Sequence, residues 1–211
     1  MRGNPPTGIV MATLLEADPF VRGLGLARVE KRPFNIYSAG GLHLVISGIG
    51  KSCAAMASSY LIYRHKKAVL YNLGAAGALR EDRRTGEIYH IDRVIEHDRP
   101  RIMTKAARVT EPDTMKEFTT AALATSDRPV VTREERLSLS SRADLADMEG
   151  AAVLQACRLF GARCYLFKIV SDVPGDERDA DIVQNIKRIR KSLFDFILSS
   201  GIILPGKRPD G

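Results

Sequence analysis

Two carboxylates in the second half of the chain have the setting of an acid and base pair. Glu149 lies in the segment 146–152 (ADMEGAA), and Asp172 ends the segment 167–172 (FKIVSD). The first segment predicts a helix with Glu149 in its first turn, and the second predicts a buried strand that ends at Asp172. Acids held by different backbone settings titrate differently, so one can hold a ligand as an anion while the other donates a proton. The pair therefore predicts an enzyme site.

The elements that must position these acids alternate between strands and helices. Short apolar runs predict strands at 8–13, 42–47, 68–72 and 164–170, with further strands at 88–95 and 129–132. Helices are predicted at 51–64, 148–160 and 179–199, with Gly161 ending the second. The segment 99–126 has weak periodicity and yields no element. The alternation indicates an α/β fold, in a single domain over 1–211 with 1–7 and 205–211 as flexible tails.

Two glycine-containing turns follow predicted strands. The segment 47–51 (SGIGK) opens a helix whose N-terminal amides are able to face an anion, although it lacks the full spacing of a P-loop or dinucleotide site. The segment 72–79 (NLGAAGAL) has small residues that let a flat group approach the backbone, and such residues also serve close packing of a helix on a strand. Taken alone, each turn favours a structural role.

Composition and charge restrict the class of protein. Hydrophobic residues make up 45% of the chain and charged residues 27%, and no apolar run approaches the roughly 20 residues of a membrane span. The net charge is +7, but the basic residues are dispersed. The densest group, 187–191, is predicted on the polar face of an amphipathic helix, whose apolar face comprises Ile182, Ile186, Ile189, Leu193 and Ile197. We therefore expect a solvated helix face and no nucleic-acid or membrane partner.

The cysteines and the first residues bear on the compartment. Cys53, Cys157 and Cys164 are odd in number, widely spaced and set in apolar surroundings, which indicates reduced core thiols rather than a disulfide framework or a metal site. The first eight residues do not have the pattern of a secretory signal. We expect a cytoplasmic protein without a bound metal.

Five segments, taken in order, resemble the purine nucleoside phosphorylase and nucleosidase superfamily, and most closely the nucleosidases that act on methylthioadenosine and S-adenosylhomocysteine. The segments are 8–16 (GIVMATLLE), 47–51, 72–77 (NLGAAG), 147–152 (DMEGAA) and 171–172 (SD). They cover most of the chain. The resemblance implies a central twisted, partly barrel-like mixed sheet flanked by helices, no cofactor, and a homodimer or larger assembly.

The resemblance also implies roles for the acids, each of which has a structural alternative. Asp172 matches the proton donor to the purine ring, and otherwise would be a cap or turn residue before Pro174. Glu149 matches the acid that grips the ribose hydroxyls, and otherwise would only favour a helix N-terminus. Met148 would pack on the sugar or base, or else in the core. Glu16 matches the base that activates water, although a glutamate in a first helical turn is common.

The remaining candidates concern the substrate. Ala75, Gly77 and Ser171 lie in the matching segments, with Ala75 where a serine is common in phosphorylases. Where the nucleosidases carry Ser-Gly-Asp and then an aromatic that stacks on adenine, this chain has 131–137 (VTREERL), in which Arg136 is able to stack through its guanidinium. Lys168 stands where an arginine is usual and is expected to act electrostatically.

Three functions remain open from the sequence. The leading one is hydrolysis of the N-glycosidic bond of a purine nucleoside or 5′-modified nucleoside, with water as the second substrate. The first alternative is a phosphorylase that uses phosphate; an anionic Glu16 would repel phosphate, whereas Arg22 or Lys51 would attract it. The second alternative is a catalytically weak nucleoside-binding protein, since a fold does not guarantee an activity.

Overall fold

The structure is a computed structural model that describes residues 6–99, 102–104, 106–175 and 179–203. The strands are β1 (Thr7–Met11), β2 (Ala27–Glu30), β3 (Asn35–Ala39), β4 (Leu42–Ile46), β5 (Val69–Ala78), β6 (Ile88–Glu96), β7 (Arg108–Thr110), β8 (Thr120–Thr125), β9 (Leu145–Asp147) and β10 (Arg163–Asp172). The helices are α1 (Leu14–Gly23), α2 (Lys51–His65), α3 (Arg133–Leu139), α4 (Gly150–Phe160) and α5 (Asp179–Ser199).

All ten strands belong to one mixed sheet, part of which closes into a barrel. Strand β5 pairs in parallel with β10, which pairs with β6, and the path returns through β8 and β9 to β5. These five strands form a closed ring. From β5 the sheet continues outward through β1, β4 and β3 to β2, and β7 pairs with β6. The predicted α/β fold with a twisted, partly barrel-like mixed sheet is confirmed.

Helices pack on both faces of the sheet and enclose two large apolar clusters. One cluster joins the inner side chains of α2 and α4, such as Leu61 and Val153, to the barrel strands. The other joins α1 and α5 to the opposite face, through Phe20, Leu193 and Ile197. The long strands β5 and β10 are buried over almost their whole length because both faces are covered. They therefore form a rigid base for side chains at their ends.

Most predicted elements are present, with some differences. The expected strands at 8–13, 42–47, 88–95 and 164–170 and all three helices are confirmed within a few residues, and Gly161 ends α4 in the left-handed conformation at φ 68°. The strand expected at 68–72 is confirmed but continues to Ala78, so most of the segment expected to be a turn at 72–79 belongs to β5. The strand expected at 129–132 is wrong, because this segment is a loop that leads into the N-cap of α3. The unassigned segment 99–126 contains β7 and β8.

The tails and the surface also differ in part from expectation. Thr7, within the expected N-terminal tail, is the first residue of β1, while residues 1–5 and 204–211 lie outside the described part of the chain. On α5 the basic residues Lys187, Arg188 and Lys191 are exposed while Ile189 is buried, so the basic group is a helix surface. Among the helices in the described ranges, none is both long and apolar enough to cross a membrane.

Candidate active site

The carboxyl ends of β1, β5 and β10 surround a cavity of about 450 Å³. Parallel strands of α/β sheets commonly bind ligands at this end. The wall also includes the loop 129–131, the segment 146–149 before α4, and the apolar side chains Ile182, Val183 and Ile186 of α5. Eight of the nine site residues predicted from the sequence line this cavity, namely Glu16, Ala75, Gly77, Arg136, Met148, Glu149, Ser171 and Asp172. The ninth, Lys168, is absent from the wall.

Glu16 reaches the cavity from the first turn of α1. Thr13 and Glu16 form a reciprocal capping box, in which Glu16 Oε2 accepts from the Thr13 hydroxyl at 2.6 Å and from the Thr13 amide at 3.2 Å. The second oxygen, Oε1, accepts from the Ala75 amide on β5 at 2.9 Å. A carboxylate has about four acceptor positions, so one remains for another donor. Glu16 is thus an oriented acceptor at the cavity wall.

Glu149 occupies the position before α4 rather than its first turn, where it was expected. It is the N-cap residue, with φ −130° and ψ −36°. Its Oε1 accepts from the Gly50 amide at the start of α2 at 2.9 Å. The helix N-terminus predicted to face an anion therefore faces the protein's own carboxylate. Gly50 adopts φ 99°, which favours glycine because a side chain there is strained.

The pKa of Glu149 lies well above the ordinary value for a glutamate. Burial is the main cause, and the nearby charge of Asp147 adds to it. Lys168 and the Gly50 amide act in the opposite direction, and together these effects raise the pKa of Glu149 to about 7. Glu149 therefore changes charge near neutral pH.

Asp147 is a fourth buried carboxylate near the cavity, and the sequence assigns it no role. It accepts from the Thr125 hydroxyl at 2.6 Å, from the Gly150 amide at 2.8 Å and from Lys168 Nζ at 2.8 Å. Lys168 is fully buried behind this acid. Burial acts to lower the pKa of Lys168, but the charges of Asp147 and Glu149 outweigh it and raise the pKa above the ordinary value. Lys168 is therefore an internal counter-charge rather than a group on the wall.

Asp172 receives a hydrogen bond on each oxygen. The Ser171 hydroxyl donates to Oδ1, and Arg136 Nη2 forms an ion pair with Oδ2. The strand register shifts between Val170 and Asp172, which is a bulge of the kind that redirects a side chain near a site. Both groups of the ion pair are almost fully buried.

Arg136 has hydrogen-bond acceptors around the edge of its guanidinium. Nε donates to the Val131 carbonyl at 3.2 Å and Nη1 to the Ala78 carbonyl at 3.1 Å, while Nη2 contacts Asp172. Among the described residues that line the cavity there is no aromatic side chain. The loop 129–131 instead supplies Pro129, Val130 and Val131 to the wall. Stacking of Arg136 on a base stays a prediction, and the structure adds its ion pair with Asp172.

Two glycines of β5 make room for the acids. A Cβ on Gly74 would lie 2.9 Å from Glu16 Oε1, and a Cβ on Gly77 would lie 2.8 Å from Asp172 Oδ2. Neither distance is tolerated between real atoms without movement. This part of β5 therefore has carboxylates against two of its glycines.

The cations that would favour phosphate are paired elsewhere. Lys51 Nζ contacts the carboxylates of Glu96 at 3.1 Å, Asp98 at 2.7 Å and Asp127 at 3.3 Å. Arg22 is an exposed residue paired with Asp18 at 2.7 Å. Neither lines the cavity. Within the described ranges no cluster of histidine, cysteine, aspartate and glutamate is arranged to hold a metal ion.

A closed mixed sheet with buried carboxylates at the carboxyl ends of its parallel strands defines an α/β protein with a small-molecule site. Within that class, the chain belongs to the phosphorylase superfamily, whose sequence profile matches residues 6–200. The match covers all ten strands and all five helices of the described ranges, so it includes every element that contributes to the cavity.

Individual relatives agree with this assignment. A 5′-methylthioadenosine/S-adenosylhomocysteine nucleosidase of Geobacillus thermodenitrificans is 24% identical over 189 residues, which cover 78% of this chain and 80% of the relative. The crystal structure of the Helicobacter pylori nucleosidase of the same name has a TM-score of 0.84 at 18% identity, covering 96% of this chain and all of the other. The futalosine hydrolase of Helicobacter pylori also has a TM-score of 0.84 at 18% identity, covering 95% and 98% of the two chains. The structural similarities establish a shared fold.

Proposed function

We propose that the protein hydrolyses the N-glycosidic bond of a purine nucleoside or 5′-modified nucleoside and releases the free base. The observation that carries the proposal is the convergence of Glu16, Glu149 and Asp172 on one cavity from three distant parts of the chain. The relatives named above as nucleosidases and a hydrolase support the same reaction type.

The three acids fit the separate needs of this reaction. A water molecule gives a proton to Glu16 and bonds through its oxygen to the anomeric carbon of the sugar. The bond between that carbon and the base nitrogen breaks, and its electron pair leaves with the base. The base gains a proton, a step that we assign to Asp172. Glu16 is suited to the first step because its three hydrogen bonds fix its orientation and leave one acceptor position open.

Glu149 and Met148 are assigned to the sugar. Only Oε1 of Glu149 is hydrogen-bonded among the described residues, so Oε2 is available to accept from the ribose hydroxyls. Met148 lies beside it on the wall and offers an apolar, adaptable surface. The side chains of Leu15, Ile182 and Val183 add an apolar region that suits an apolar 5′ substituent.

The sharpest test of the hydrolase proposal is whether base release requires phosphate. Lys51 and Arg22 are paired and lie off the wall, and Ala75 carries no hydroxyl for phosphate. We expect purified protein to release base from purine nucleosides at the same rate with and without phosphate, yielding free ribose. Base release that requires phosphate and yields ribose 1-phosphate would establish the phosphorylase instead. Tight nucleoside binding in calorimetry without base release would establish a binding protein.

We also propose that the protein is a cytoplasmic homodimer. Met56 and Tyr63 lie seven residues apart on one face of α2, and Ile49 lies just before the helix; the three residues are 57%, 71% and 60% exposed. An exposed apolar stripe of this kind fits a surface between two copies. The unpaired cysteines agree with a reducing compartment. Light scattering after gel filtration should give a mass twice that of a single chain. The variant Met56→Asp should give the mass of a single chain.

A further inference from the structure

We propose that Arg136 selects a 6-oxopurine, such as hypoxanthine or guanine, as the base of the substrate. The inference rests on the proposed nucleoside-cleaving function and concerns the chemistry of the base. Its starting point is the place of Arg136, whose side chain is 2% exposed and still contributes to the cavity wall beside Asp172. A cation is costly to bury, so its donors need partners.

The donors of Arg136 are only partly used in the ligand-free protein. A guanidinium carries five N–H groups. Among the described residues, three of them have acceptors, namely the carbonyls of Val131 and Ala78 and the carboxylate of Asp172. One N–H on each terminal nitrogen is therefore left for a ligand. A buried donor without an acceptor lowers stability, which favours a ligand that supplies acceptors here.

The two remaining donors match one edge of a 6-oxopurine. Its O6 and N7 atoms are neighbouring acceptors, and a guanidinium pairs with both of them at once in the recognition of guanine. An adenine presents an amino group in place of O6, so a donor would face a donor at that position. On this wall Pro129, Val130 and Ala146 are apolar, and both oxygens of Asp172 already accept hydrogen bonds, from Ser171 and from Arg136.

The same contact helps the reaction. When the glycosidic bond breaks, negative charge spreads into the departing base, and a fixed cation at O6 and N7 stabilises that charge. Asp172 is bonded to the same guanidinium, so the acid that we assign to protonation of the base lies beside the cation that stabilises its negative charge. Arg136 thus both selects the base and stabilises the negative charge on the departing base.

The test compares base preference in the wild-type protein and in Arg136→Gln. Glutamine pairs with the N6 and N7 atoms of adenine, so it offers the opposite pattern at the same place. We expect wild-type kcat/KM for inosine or its 5′-modified analogues to exceed that for the matching adenosines by at least about tenfold. The preference should disappear or reverse in Arg136→Gln. The matched control is Arg133→Gln on the same helix, whose side chain is 60% exposed and off the cavity wall, and which should keep the wild-type preference.

Binding of free bases keeps the inference testable if the variant misfolds or if no nucleoside is cleaved. Calorimetry on the wild-type protein should show hypoxanthine binding more tightly than adenine by at least about tenfold. Such a result without any base release would retain the role of Arg136 and reject the proposed function. Cleavage of adenosines in preference to inosines, equal or weaker binding of hypoxanthine, or an unchanged preference in folded Arg136→Gln would overturn the role of Arg136 and leave the proposed function standing.

Discussion

Glu16 is held at three points before any substrate binds, so its chemical role can be tested separately from its structural role. Glutamine also serves at the third position of a capping box, and Glu16→Gln should therefore keep the start of α1. Because glutamine cannot take a proton from water, we expect kcat to fall by about 100-fold or more while nucleoside affinity changes little. Steady-state kinetics and calorimetry provide the two numbers.

The control for this variant lies on the same helix. Asp18→Asn removes a carboxylate that pairs with the exposed Arg22 and does not line the cavity, so kcat should stay at the wild-type value. Equal activity of Glu16→Gln and the wild-type protein would mean that another group activates the water.

Glu149 should control the pH dependence of the reaction. Its ionised form accepts the ribose hydroxyls, and its pKa is about 7 in the ligand-free protein. We therefore expect kcat/KM to rise with pH across the range around 7, since this parameter reports groups of the free enzyme. A pH profile of the wild-type protein tests this, and a kcat/KM that is constant from pH 6 to pH 8, on the order of one unit either side of that pKa, would contradict it.

The same acid should lower stability when it ionises. Its pKa in the folded protein lies above the ordinary 4.5, so its contribution to stability is fully present below pH 4.5 and is lost as the pH rises through about 7. Glu149→Gln carries no charge at any pH. We expect this variant to be more stable than the wild-type protein at pH 8, by on the order of 1–3 kcal/mol, with little or no gain at pH 5. Thermal unfolding at the two pH values measures the difference.

At the scale of elements, Lys51 connects three parts of the chain around the cavity. Its ammonium joins the start of α2 to Glu96 and Asp98 near the end of β6 and to Asp127 in the loop that follows β8. Lys51→Gln would leave three carboxylates close together without a cation. We expect the free energy of unfolding to fall by about 1–2 kcal/mol, or the Tm by about 2–8 °C.

An exposed ion pair provides the matched control. Lys191 pairs with Asp195 one turn along α5, and both side chains are more than half exposed. Lys191→Gln should change the Tm by no more than about 2 °C, because exposed pairs contribute little. If both variants lose the same stability, then the cluster around Lys51 has no special role.

An element or a site can be predicted from sequence when residues close together in the chain form a recognisable pattern. The sequence predicts the first half of β5 and nearly all of β10, because unbroken apolar runs mark strands covered on both faces. The segment 129–132 gives the same signal for another reason: Pro129, Val130 and Val131 line the cavity and do not form a strand. Helix α1 had a usable signal in the spacing of Thr13 and Glu16.

Contacts between residues far apart in the chain cannot be predicted from this sequence. The resemblance identified Asp172 and Glu149, but the ion pair of Asp172 with Arg136 joins residues 36 positions apart and has no local pattern. The pairing of Lys168 with Asp147 likewise arises from the fold. In each of these two contacts a buried basic residue pairs with a buried acid.

At the scale of the whole molecule, closure of the barrel should divide the sheet into a stable and a less stable part. Strands β5 and β10 are paired on both sides within the closed ring, whereas β2 pairs only with β3 among the described strands. Amides of β5 and β10 should therefore exchange with solvent most slowly and those of β2 fastest among the strands. Native-state hydrogen exchange measures the order, and equal protection of β2 and β5 would contradict it.

The pairing of β5 with β10 also limits how the gene can change in length. Gly77 lies opposite Asp172, and this register places the acid where a Cβ on residue 77 would lie 2.8 Å from its Oδ2. Inserting or deleting one residue earlier in either strand would move the acid by about 3.3 Å along its neighbour and turn alternate side chains to the other face. Loops on the surface can lengthen and shorten during evolution, but these two strands have to keep their residue count for the site to persist.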